Sequence, residues 1–414
     1  MNIRTCVKTG TRLFLATKTH RLPRLILYFI ANFFKFIHSC IKLPKGISIY
    51  FLSEQGFGHS IMQADVFLEY VDPNGYIILL LSQKRHNNYV KLLYGSNYRT
   101  LKSSYTNSSF DGDYRLDRLI VRLSRVILGI SKKQKLYCWT DLLRLSERIN
   151  TQNYLEYPGT SFAVHKLWYL TKSSNMVVDK AYSFTSSSDY LLFKKYVVQS
   201  ARQSRFAALY IRDKPDDNRI SFLRSGKSLM KSLHIIDFLN KNGFTVLIYG
   251  EISPIDFNKL VGSDVLCWVN SNISKSLWDI FAPVFSEFVV GPSGGGLQIP
   301  IKVNKPILAL DTFGFWNGFP NSLLAYKIVK DENGQIVNPE KYFRNTPFET
   351  NFQGLIVESI PDDLDLKILE EFLQVLQFWT PKQKITQTFH PGCALTFSPY
   401  SRISNSYLSY VGMS

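Results

Sequence analysis

Short apolar runs recur along the chain and alternate with segments whose apolar residues repeat at the spacing of a helix face. In the first half, apolar runs over 47–52 and 76–81 enclose a helical pattern that begins at Ser60. In the second half, the same periodicities predict strands and helices in turn, over 206–211, 226–240, 244–248, 265–269, 273–281, 288–290, 306–310 and 364–378. Strands that alternate with helices predict a parallel sheet covered on both faces. The predicted fold class is therefore α/β, with two Rossmann-like halves.

The length of the chain and one polar stretch predict how it divides. At 414 residues the chain is longer than one ordinary core allows, and its 45% of hydrophobic residues excludes global disorder. The polar stretch 199–204 is typical of a linker. We expect a basic segment over 1–45, an N-terminal Rossmann-like domain over 46–200, a C-terminal one over 201–385 and a tail over 386–414. In two-domain folds of this kind, a C-terminal segment can cross back to the first domain.

The N-terminal segment combines positive charge with an amphipathic helical pattern. Nine basic residues and no acidic one precede Glu54. Over 24–42, polar residues that include Arg24, Lys35 and Lys42 share one side of a helix, and Phe, Leu and Ile residues fill the opposite arc. Polar residues interrupt the apolar run too often for a comfortable membrane span. We expect this helix to lie on an anionic membrane surface. Packing on the protein's own core and a cleaved targeting segment stay open as alternatives.

Cysteine usage and charge limit the compartment and the partners. The five cysteines are scattered and form no CxxC pair and no metal-ligand spacing. This usage fits a reducing compartment, so we expect a cytoplasmic enzyme, peripheral on the inner face of the cell membrane. The net charge of +17 could also suggest nucleic-acid binding. Because no recognition motif accompanies the charge, no nucleic-acid partner is expected.

A second basic stretch lies over 115–135. Arg118, Arg122 and Arg125 share one helical face there, with apolar residues around them. A solvated helix face explains this pattern, and contact with a membrane or an anionic acceptor is the alternative.

A glycine-rich turn in the second half is the most distinctive motif. The apolar run 288–290 leads into Gly291-Pro292-Ser293-Gly294-Gly295-Gly296, and a short amphipathic segment over 297–303 follows. Glycines let backbone N–H groups approach a ligand closely, and a helix that opens after such a turn suits phosphate. The plainer interpretation is a tight strand-to-helix turn. The motif is neither a P-loop nor the spaced GxGxxG of dinucleotide folds.

The first half carries a glycine loop of its own, between the strand at 47–52 and the following helix. It contains Gly56, Gly58 and His59. The dipole of the helix keeps an imidazole at its start neutral, and a neutral His59 can accept a proton from an acceptor hydroxyl. Glu54 or Asp65, which flank the loop, could be the base instead. An ordinary loop histidine is the remaining alternative.

Several stretches of the second half resemble a known family. They are LYIRDKPDDNR, SFLRSGKSLMKSLHIIDFLNKNGFTVLIYGE, VVGPSGGGLQIPIKVNKPILALD and PNSLLAYKIVKDENGQIVNPEKYF. They are similar to a family of glycosyltransferases of the GT-B superfamily, found among bacterial surface-polysaccharide genes. The places of the family's motifs are occupied here by Arg212-Asp213, Arg224-Ser225, Gly250, Ser293-Gly294, Pro306, Lys327 and, in the GFGH loop, Gly58 and His59. The resemblance covers roughly 46–350. It departs at Ser225, where the family has Asn, and over 100–200, which matches little.

The resemblance implies GT-B architecture, in which the two domains bind different substrates. The C-terminal domain is expected to hold a nucleotide-sugar donor, which is a co-substrate, so that no cofactor and no bound metal are required. The donor-binding residues it implies are Arg212, Arg224, Gly250, Ser293, Gly294 and Lys327, and the backbone N–H groups of the glycine-rich turn add Gly295 and Gly296. The N-terminal domain is expected to bind a glycan or lipid-linked acceptor of surface-polysaccharide or lipopolysaccharide synthesis through Gly56, Gly58 and Asp65, with His59 or Glu54 as the base.

Two other functions fit the same architecture. A sugar-nucleotide epimerase would need no acceptor and would release a free sugar nucleotide. A catalytically inactive protein of the membrane surface would bind a donor without turning it over.

Overall fold

The computed structural model of the protein describes residues 22–52, 57–81, 90–94, 98–102, 114–149, 167–168, 183–212, 226–260, 264–312, 321–337, 354–377 and 401–413. The chain forms two compact units, Met1–His165 and Lys166–Ser414. The division lies before the predicted linker at 199–204, because the helix Ser188–Ser200 packs within the second unit.

The first unit is built on a parallel sheet with the strand order β3-β2-β1-β4. Its strands are β1 (Ser48–Leu52), β2 (Tyr76–Leu81), β3 (Tyr98–Lys102) and β4 (Lys135–Tyr137). Its helices are α1 (Leu22–Ile41), α2 (Phe57–Tyr70), α3 (Tyr114–Lys132) and α4 (Trp139–Ile149), and a 3-10 turn spans Val90–Leu93. The predicted succession of β1, α2 and β2 is confirmed, but α2 begins at Phe57 and not at Ser60.

Helix α1 belongs to the core of the first unit. Phe36, Ile37 and Cys40 are buried among side chains of β1, β2, α3 and β4. The Phe36 ring meets the Phe51 ring edge-on, with 4.8 Å between the centroids. The sequence pattern predicted that the apolar arc of this helix faces a lipid surface. Much of that arc packs in the protein's own core instead, which is one of the alternatives that the sequence left open. None of the helices within the described residues has the length and hydropathy that a membrane crossing requires.

The second unit is built on a seven-stranded parallel sheet with the order β13-β10-β9-β8-β5-β6-β7. Its strands are β5 (Arg205–Arg212), β6 (Phe244–Glu251), β7 (Val265–Leu266), β8 (Phe288–Gly291), β9 (Ile307–Thr312), β10 (Ser322–Tyr326) and β13 (Ser401–Ile403). A separate antiparallel pair consists of β11 (Ile328–Lys330) and β12 (Ile356–Glu358).

The helices of the second unit match most of the predicted helical segments. They are α5 (Ser188–Ser200), α6 (Leu233–Lys241), α7 (Pro254–Phe257), α8 (Lys275–Phe285), α9 (Gln298–Lys302), α10 (Asp362–Gln377) and α11 (Asn405–Tyr410). The 3-10 turns are Ser183–Ser186, Met230–Ser232, Trp268–Asn270 and Gly295–Leu297. The strand predicted over 265–269 ends at Leu266, because Asn270 accepts a hydrogen bond from the Cys267 N–H and turns the chain.

The order of the strands places a switch point between β5 and β8. From β5 the chain moves outward through β6 to β7, and it then returns to the other side of β5 for β8 and continues outward through β9 and β10. β5 and β8 are neighbours, and the strand that follows each of them lies on its outer side. In open parallel sheets, ligands bind at such a switch point, outside the carboxyl ends of the strands.

Both ends of the second unit are tied to this sheet. Phe193 of α5 is buried against Trp278 of α8, with 5.1 Å between the ring centroids. In the described part of the tail, β13 extends the sheet beside β10. Glu371 of α10 then accepts hydrogen bonds from the Ser404 hydroxyl and from the Ser406 N–H at the start of α11. The described tail therefore belongs to the second unit.

Candidate active site

Arg212 and the glycine-rich turn meet at the switch point of the second sheet. Arg212 is the last residue of β5, and Ser293 lies two residues after the end of β8. The Arg212 Nη1 donates a hydrogen bond of 2.9 Å to the main-chain carbonyl of Ser293. The structure thus brings together two of the residues that the sequence assigned to a donor site, across 81 positions of the chain.

The turn lies directly over the Tyr210 ring of β5. A β-carbon built on Gly296 would lie 2.3 Å from that ring, and one on Gly294 would lie 2.8 Å from the Arg212 Nη1. The Tyr249 hydroxyl donates a hydrogen bond of 3.2 Å to the Gly296 carbonyl. Burial raises the pKa of Tyr210 to about 12, so this phenol stays protonated at neutral pH. At Gly294 and Gly296, the lack of a side chain is therefore explained by packing inside the protein, without any ligand.

The segment after the turn is shorter than the sequence pattern suggested. Gly295–Leu297 forms a 3-10 turn, and α9 continues for only five residues. A helix of this length has few aligned peptide units, so its dipole attracts an anion weakly. The expectation of a phosphate site built on a helix start is therefore corrected, and the positive charge in contact with the turn is that of the Arg212 side chain.

Ser293 carries the feature that points most directly to a ligand. Its side chain is 4% exposed, and its Oγ forms no hydrogen bond with any residue that the structure describes. Buried hydroxyls are nearly always hydrogen-bonded, because an unpaired one loses its bonds to water without replacement. The Ser293 hydroxyl lies on the turn that Arg212 contacts, where a bound ligand or a water molecule can satisfy it.

Gly250 is the penultimate residue of β6, where it pairs with Ile211 of β5. Its φ angle is +100°, and a β-carbon there would lie 2.3 Å from the Ile211 carbonyl oxygen. Its N–H donates a hydrogen bond of 3.0 Å to Asp279 of α8, whose pKa is raised by burial. Any other residue at position 250 would be strained and would clash. Gly250 therefore shapes the edge of the sheet beside Arg212.

A small cavity, partly open to solvent, lies at the same edge, on the side covered by α6 and α10. Its wall is formed by the carboxyl ends of β5, β8 and β9 and by the segment before α6. Three charged side chains line it, those of Lys227, Asp311 and Asp365. Its enclosed volume is well below the range found for small-molecule sites.

Lys227 is held between two carboxylates of α10. Its Nζ lies 2.5 Å from Asp362 Oδ1 and 2.6 Å from Asp365 Oδ2, and His234 Nε2 lies 2.9 Å from the same Asp365 oxygen. Burial alone would lower the pKa of Lys227, but Asp365 and Asp362 outweigh it, and the net pKa is raised. His234, Asp362 and Asp365 place their ligand atoms within 4.8 Å of one another, as a metal site requires. The Lys227 ammonium already supplies the cation that these carboxylates need.

Lys327 lies at the junction of β10 and β11, where it is only 3% exposed. Burial lowers its pKa, opposed by the charge of Asp311 at the end of β9. Asp311 is itself 2% exposed, accepts a hydrogen bond of 2.7 Å from the Ile360 N–H and has a pKa raised by burial. These surroundings indicate that Lys327 balances the buried Asp311, whereas the sequence motif suggested a phosphate contact.

The residues predicted for the first unit are described only in part. Gly58 and His59 form the first turn of α2, within the helix and not in a loop before it. Asp65 lies in the middle of α2, 5% exposed, and its Oδ1 accepts a hydrogen bond of 3.0 Å from the Tyr94 hydroxyl. This burial favours a structural role for Asp65. The predicted residues Glu54, Gly56 and Arg224 lie outside the described residues.

The sequence did not single out Tyr210, Lys227, Asp311 or Asp365. Asp311 directly follows the apolar run 307–310, so its place at a strand's carboxyl end was a usable signal. Lys227 and Asp365 are 138 positions apart, and no local pattern connects them. The Asp-rich start of α10 is typical of a helix start and by itself indicates nothing more.

Comparisons with known proteins give weak likenesses. No family model and no curated protein matches the chain. Among solved structures, it is similar to the glycosyl transferase family 9 protein of Veillonella parvula DSM 2008, at 12% identity and a TM-score of 0.41, over 81% of this chain and 99% of that one. Two variants of the wall teichoic acid polymerase TagF, each 12% identical, give TM-scores of 0.33 and 0.30. They match over 99% and 88% of this chain and over 95% and 91% of their own. These values assign neither a fold family nor an activity to this chain.

Proposed function

We propose that this chain is a glycosyltransferase that binds a nucleotide-sugar donor at the switch point of its second sheet. The contact between Arg212 and Ser293 carries the proposal, because it puts a cation and a buried unpartnered hydroxyl at the place where open parallel sheets bind ligands. The sequence resemblance to GT-B glycosyltransferases supports the same donor class.

Arg212 is proposed to stabilise the leaving group. Transfer breaks the bond between the anomeric carbon and a phosphate oxygen, and negative charge then grows on the departing nucleoside diphosphate. A guanidinium has five N–H donors in a planar fork that fits two phosphate oxygens. The described bond to the Ser293 carbonyl uses one of them and fixes the orientation of the group. A pre-oriented cation of this kind lowers the barrier without needing to rearrange.

Three further groups are proposed to contact the diphosphate of the donor. Ser293 is proposed to donate a hydrogen bond from its hydroxyl to a diphosphate oxygen, which satisfies that buried group. The Gly295 N–H and the Arg224 side chain are further proposed phosphate contacts. Lys227 forms a wall of the cavity and is neutralised by α10, so it orients the site and does not bind phosphate.

The acceptor is proposed to bind at the first unit. His59, in the first turn of the 14-residue helix α2, is the proposed base, with Glu54 as the alternative and Gly58 close to the acceptor. As the base, His59 would take the proton of the acceptor hydroxyl. A glycan or a lipid-linked sugar is the proposed acceptor. Because Arg212 supplies the positive charge at the leaving group, the proposed reaction requires no metal.

Ligand-induced stabilisation of the full chain tests the donor site. Its thermal unfolding is followed with nucleoside monophosphates, nucleoside diphosphates and sugar nucleotides. A ligand at 100 times its Kd stabilises the folded state by about 2.7 kcal/mol. One nucleotide family should raise the Tm of the wild type but not that of Arg212→Ala. Arg205→Ala is the matched control, because Arg205 begins the same strand and forms an exposed ion pair with Glu287.

The outcomes separate the functions that fit the architecture. A Tm shift that Arg212→Ala abolishes and Arg205→Ala retains supports the donor site, whereas equal loss in both variants contradicts it. Transfer of labelled sugar to membrane-extracted glycolipid in the presence of EDTA supports a metal-independent transferase. Release of an epimerised sugar nucleotide, or binding without turnover, would point to an epimerase or to an inactive binding protein.

A further inference from the structure

Helix α1 exposes an apolar stripe that the core does not use. Its buried residues face the sheet, but Ile30, Phe34 and Ile41 are 43%, 64% and 44% exposed. Residues four and eleven positions apart lie on one side of a helix, so these three form a single stripe. Exposure of Phe34 to water is unfavourable, because its ring is among the most apolar side chains.

Helix α3 carries a second stripe of the same kind. Ile120, Val121 and Leu128 are buried, whereas other apolar side chains of the helix face outward. These are Leu123, Val126, Ile127 and Ile130, which are 39%, 55%, 45% and 82% exposed. Their spacing of three and four residues puts them on one face. Because α1 and α3 pack against each other and share one core cluster, both stripes belong to the same unit and the same layer of helices.

Basic side chains accompany both stripes. The exposed ones on α1, on α3 and in the turns that follow them are Lys35, Lys42, Lys45, Arg122 and Lys133. Helix α1 contains no acidic residue, and α3 contains one, Asp117, near its start. The exposed apolar side chains therefore lie within a surface of strongly positive charge.

We infer that α1 and α3 together form a docking surface for an anionic lipid bilayer, with the apolar stripes among the acyl chains and the basic residues at the headgroups. This combination of features is what interfacial binding requires. A second copy of the chain fits the surface poorly, because a symmetric dimer would bring two surfaces of the same positive charge together. Nucleic acid would use the charge but would leave Phe34 and Ile130 in water. The surface is independent of the proposed donor site and differs from an isolated N-terminal helix, since α3 supplies half of it.

Vesicle flotation of the full chain tests this surface. Vesicles of phosphatidylcholine alone are compared with vesicles that also contain phosphatidylglycerol, at low and high salt. We expect binding to the anionic vesicles only, and weaker binding at high salt, because ions screen the attraction. Phe34→Asp and Ile130→Asp should each lower the partition coefficient at least tenfold. Ile255→Asp is the matched control, because Ile255 is 72% exposed on α7 of the second unit and lies outside both stripes.

Three results would overturn the inference. Equal binding to neutral vesicles, or wild-type binding by both Asp variants, contradicts an anionic bilayer as the partner. Concentration-dependent dimerisation in sedimentation that Phe34→Asp abolishes, without any vesicle binding, assigns the surface to self-association. Unchanged Tm values of the variants confirm that they fold, as expected for side chains this exposed.

Discussion

Gly296 and Tyr210 approach so closely that a single β-carbon at position 296 would lie 2.3 Å from the Tyr210 ring. The ring is buried and cannot move aside without disturbing β5. Gly296→Ala should therefore destabilise the second unit by about 1–3 kcal/mol, the usual cost of overpacking a core. Urea unfolding measures the change.

Gly129→Ala is the control for this prediction. Gly129 lies within α3, and no atom comes within 4 Å of a β-carbon built on it. Alanine in a helix interior is more favourable than glycine by about 0.5–1 kcal/mol, so this variant should be slightly more stable than the wild type. A Gly296→Ala protein with the wild-type urea midpoint would show that the turn relaxes away from Tyr210.

Ser293→Ala should separate stability from binding. Its hydroxyl is buried and forms no hydrogen bond within the described part of the chain, so removal should leave the ligand-free protein as stable as the wild type or more stable by about 1 kcal/mol. Donor affinity should fall about tenfold, since a ligand loses one hydrogen bond to a buried group. Titration calorimetry and thermal unfolding measure both quantities.

A second buried serine provides the comparison. The Ser286 Oγ donates a hydrogen bond of 2.8 Å to the Ala282 carbonyl. Ser286→Ala should cost about 1 kcal/mol of stability and leave donor affinity unchanged. If both serine variants lost the same stability, the Ser293 hydroxyl would have a partner in the free protein.

Lys227→Met should destabilise the second unit by about 3 kcal/mol, because Asp365 is 1% exposed and would keep a buried charge without its cation. Asp365→Asn in the same chain should restore part of this loss. Lys259→Met is the control, since its ion pair with Asp256 is exposed and contributes little. A loss in the double variant equal to that of Lys227→Met would contradict the role assigned to the pair.

The pH dependence of this pair follows from the raised pKa of Lys227. The folded protein binds this proton more tightly than the unfolded chain, whose lysine has its ordinary pKa of 10.5. The contribution to stability is therefore complete below pH 10.5 and is lost as the pH rises through the folded-state pKa. The difference in stability between the wild type and Lys227→Met should be constant at neutral pH and should shrink in alkali. Denaturation at a series of pH values measures it.

Tyr94→Phe tests whether Asp65 is structural. The Tyr94 hydroxyl lies 3.0 Å from Asp65 Oδ1 and 2.8 Å from the Ile61 carbonyl. Loss of these contacts should lower stability by about 1 kcal/mol without changing the KM for the acceptor. If Tyr94→Phe raised the KM for the acceptor at unchanged stability, Asp65 would be assigned to the acceptor site instead.

Local patterns were sufficient for most of the second sheet. The run 206–211 predicted β5, which spans Arg205–Arg212, because a strand buried on both faces is a continuous apolar run. The pattern does not reveal β13, since Ser401–Ile403 is short and becomes a strand through its pairing with β10. Its stability comes from a tertiary contact, which periodicity does not encode.

The sequence also predicted part of the candidate site. Arg212 and Ser293 follow apolar runs, so the sequence placed both at the carboxyl ends of strands, where parallel sheets bind ligands. The role of the glycines was not predictable, because it depends on the Tyr210 ring beneath the turn. The pairing of Lys227 with Asp365 depends on how α10 packs, so it cannot be predicted from the spacing of the two residues along the chain.

The two-sided nature of α1 sets a limit on how this protein can be engineered. Deleting an N-terminal helix is a common way to obtain a freely soluble form of a protein that adheres to membranes. Here the deletion would also remove Phe36 and Cys40 and would leave the apolar surfaces of Ile49 and Phe51 open to water. Such a truncated protein would aggregate, because the core of its first unit would be open to water. A loss of lipid binding in it would therefore give no information about the docking surface on α1 and α3. The proposed lipid contact and folding can be separated in this chain only by changing one exposed side chain at a time.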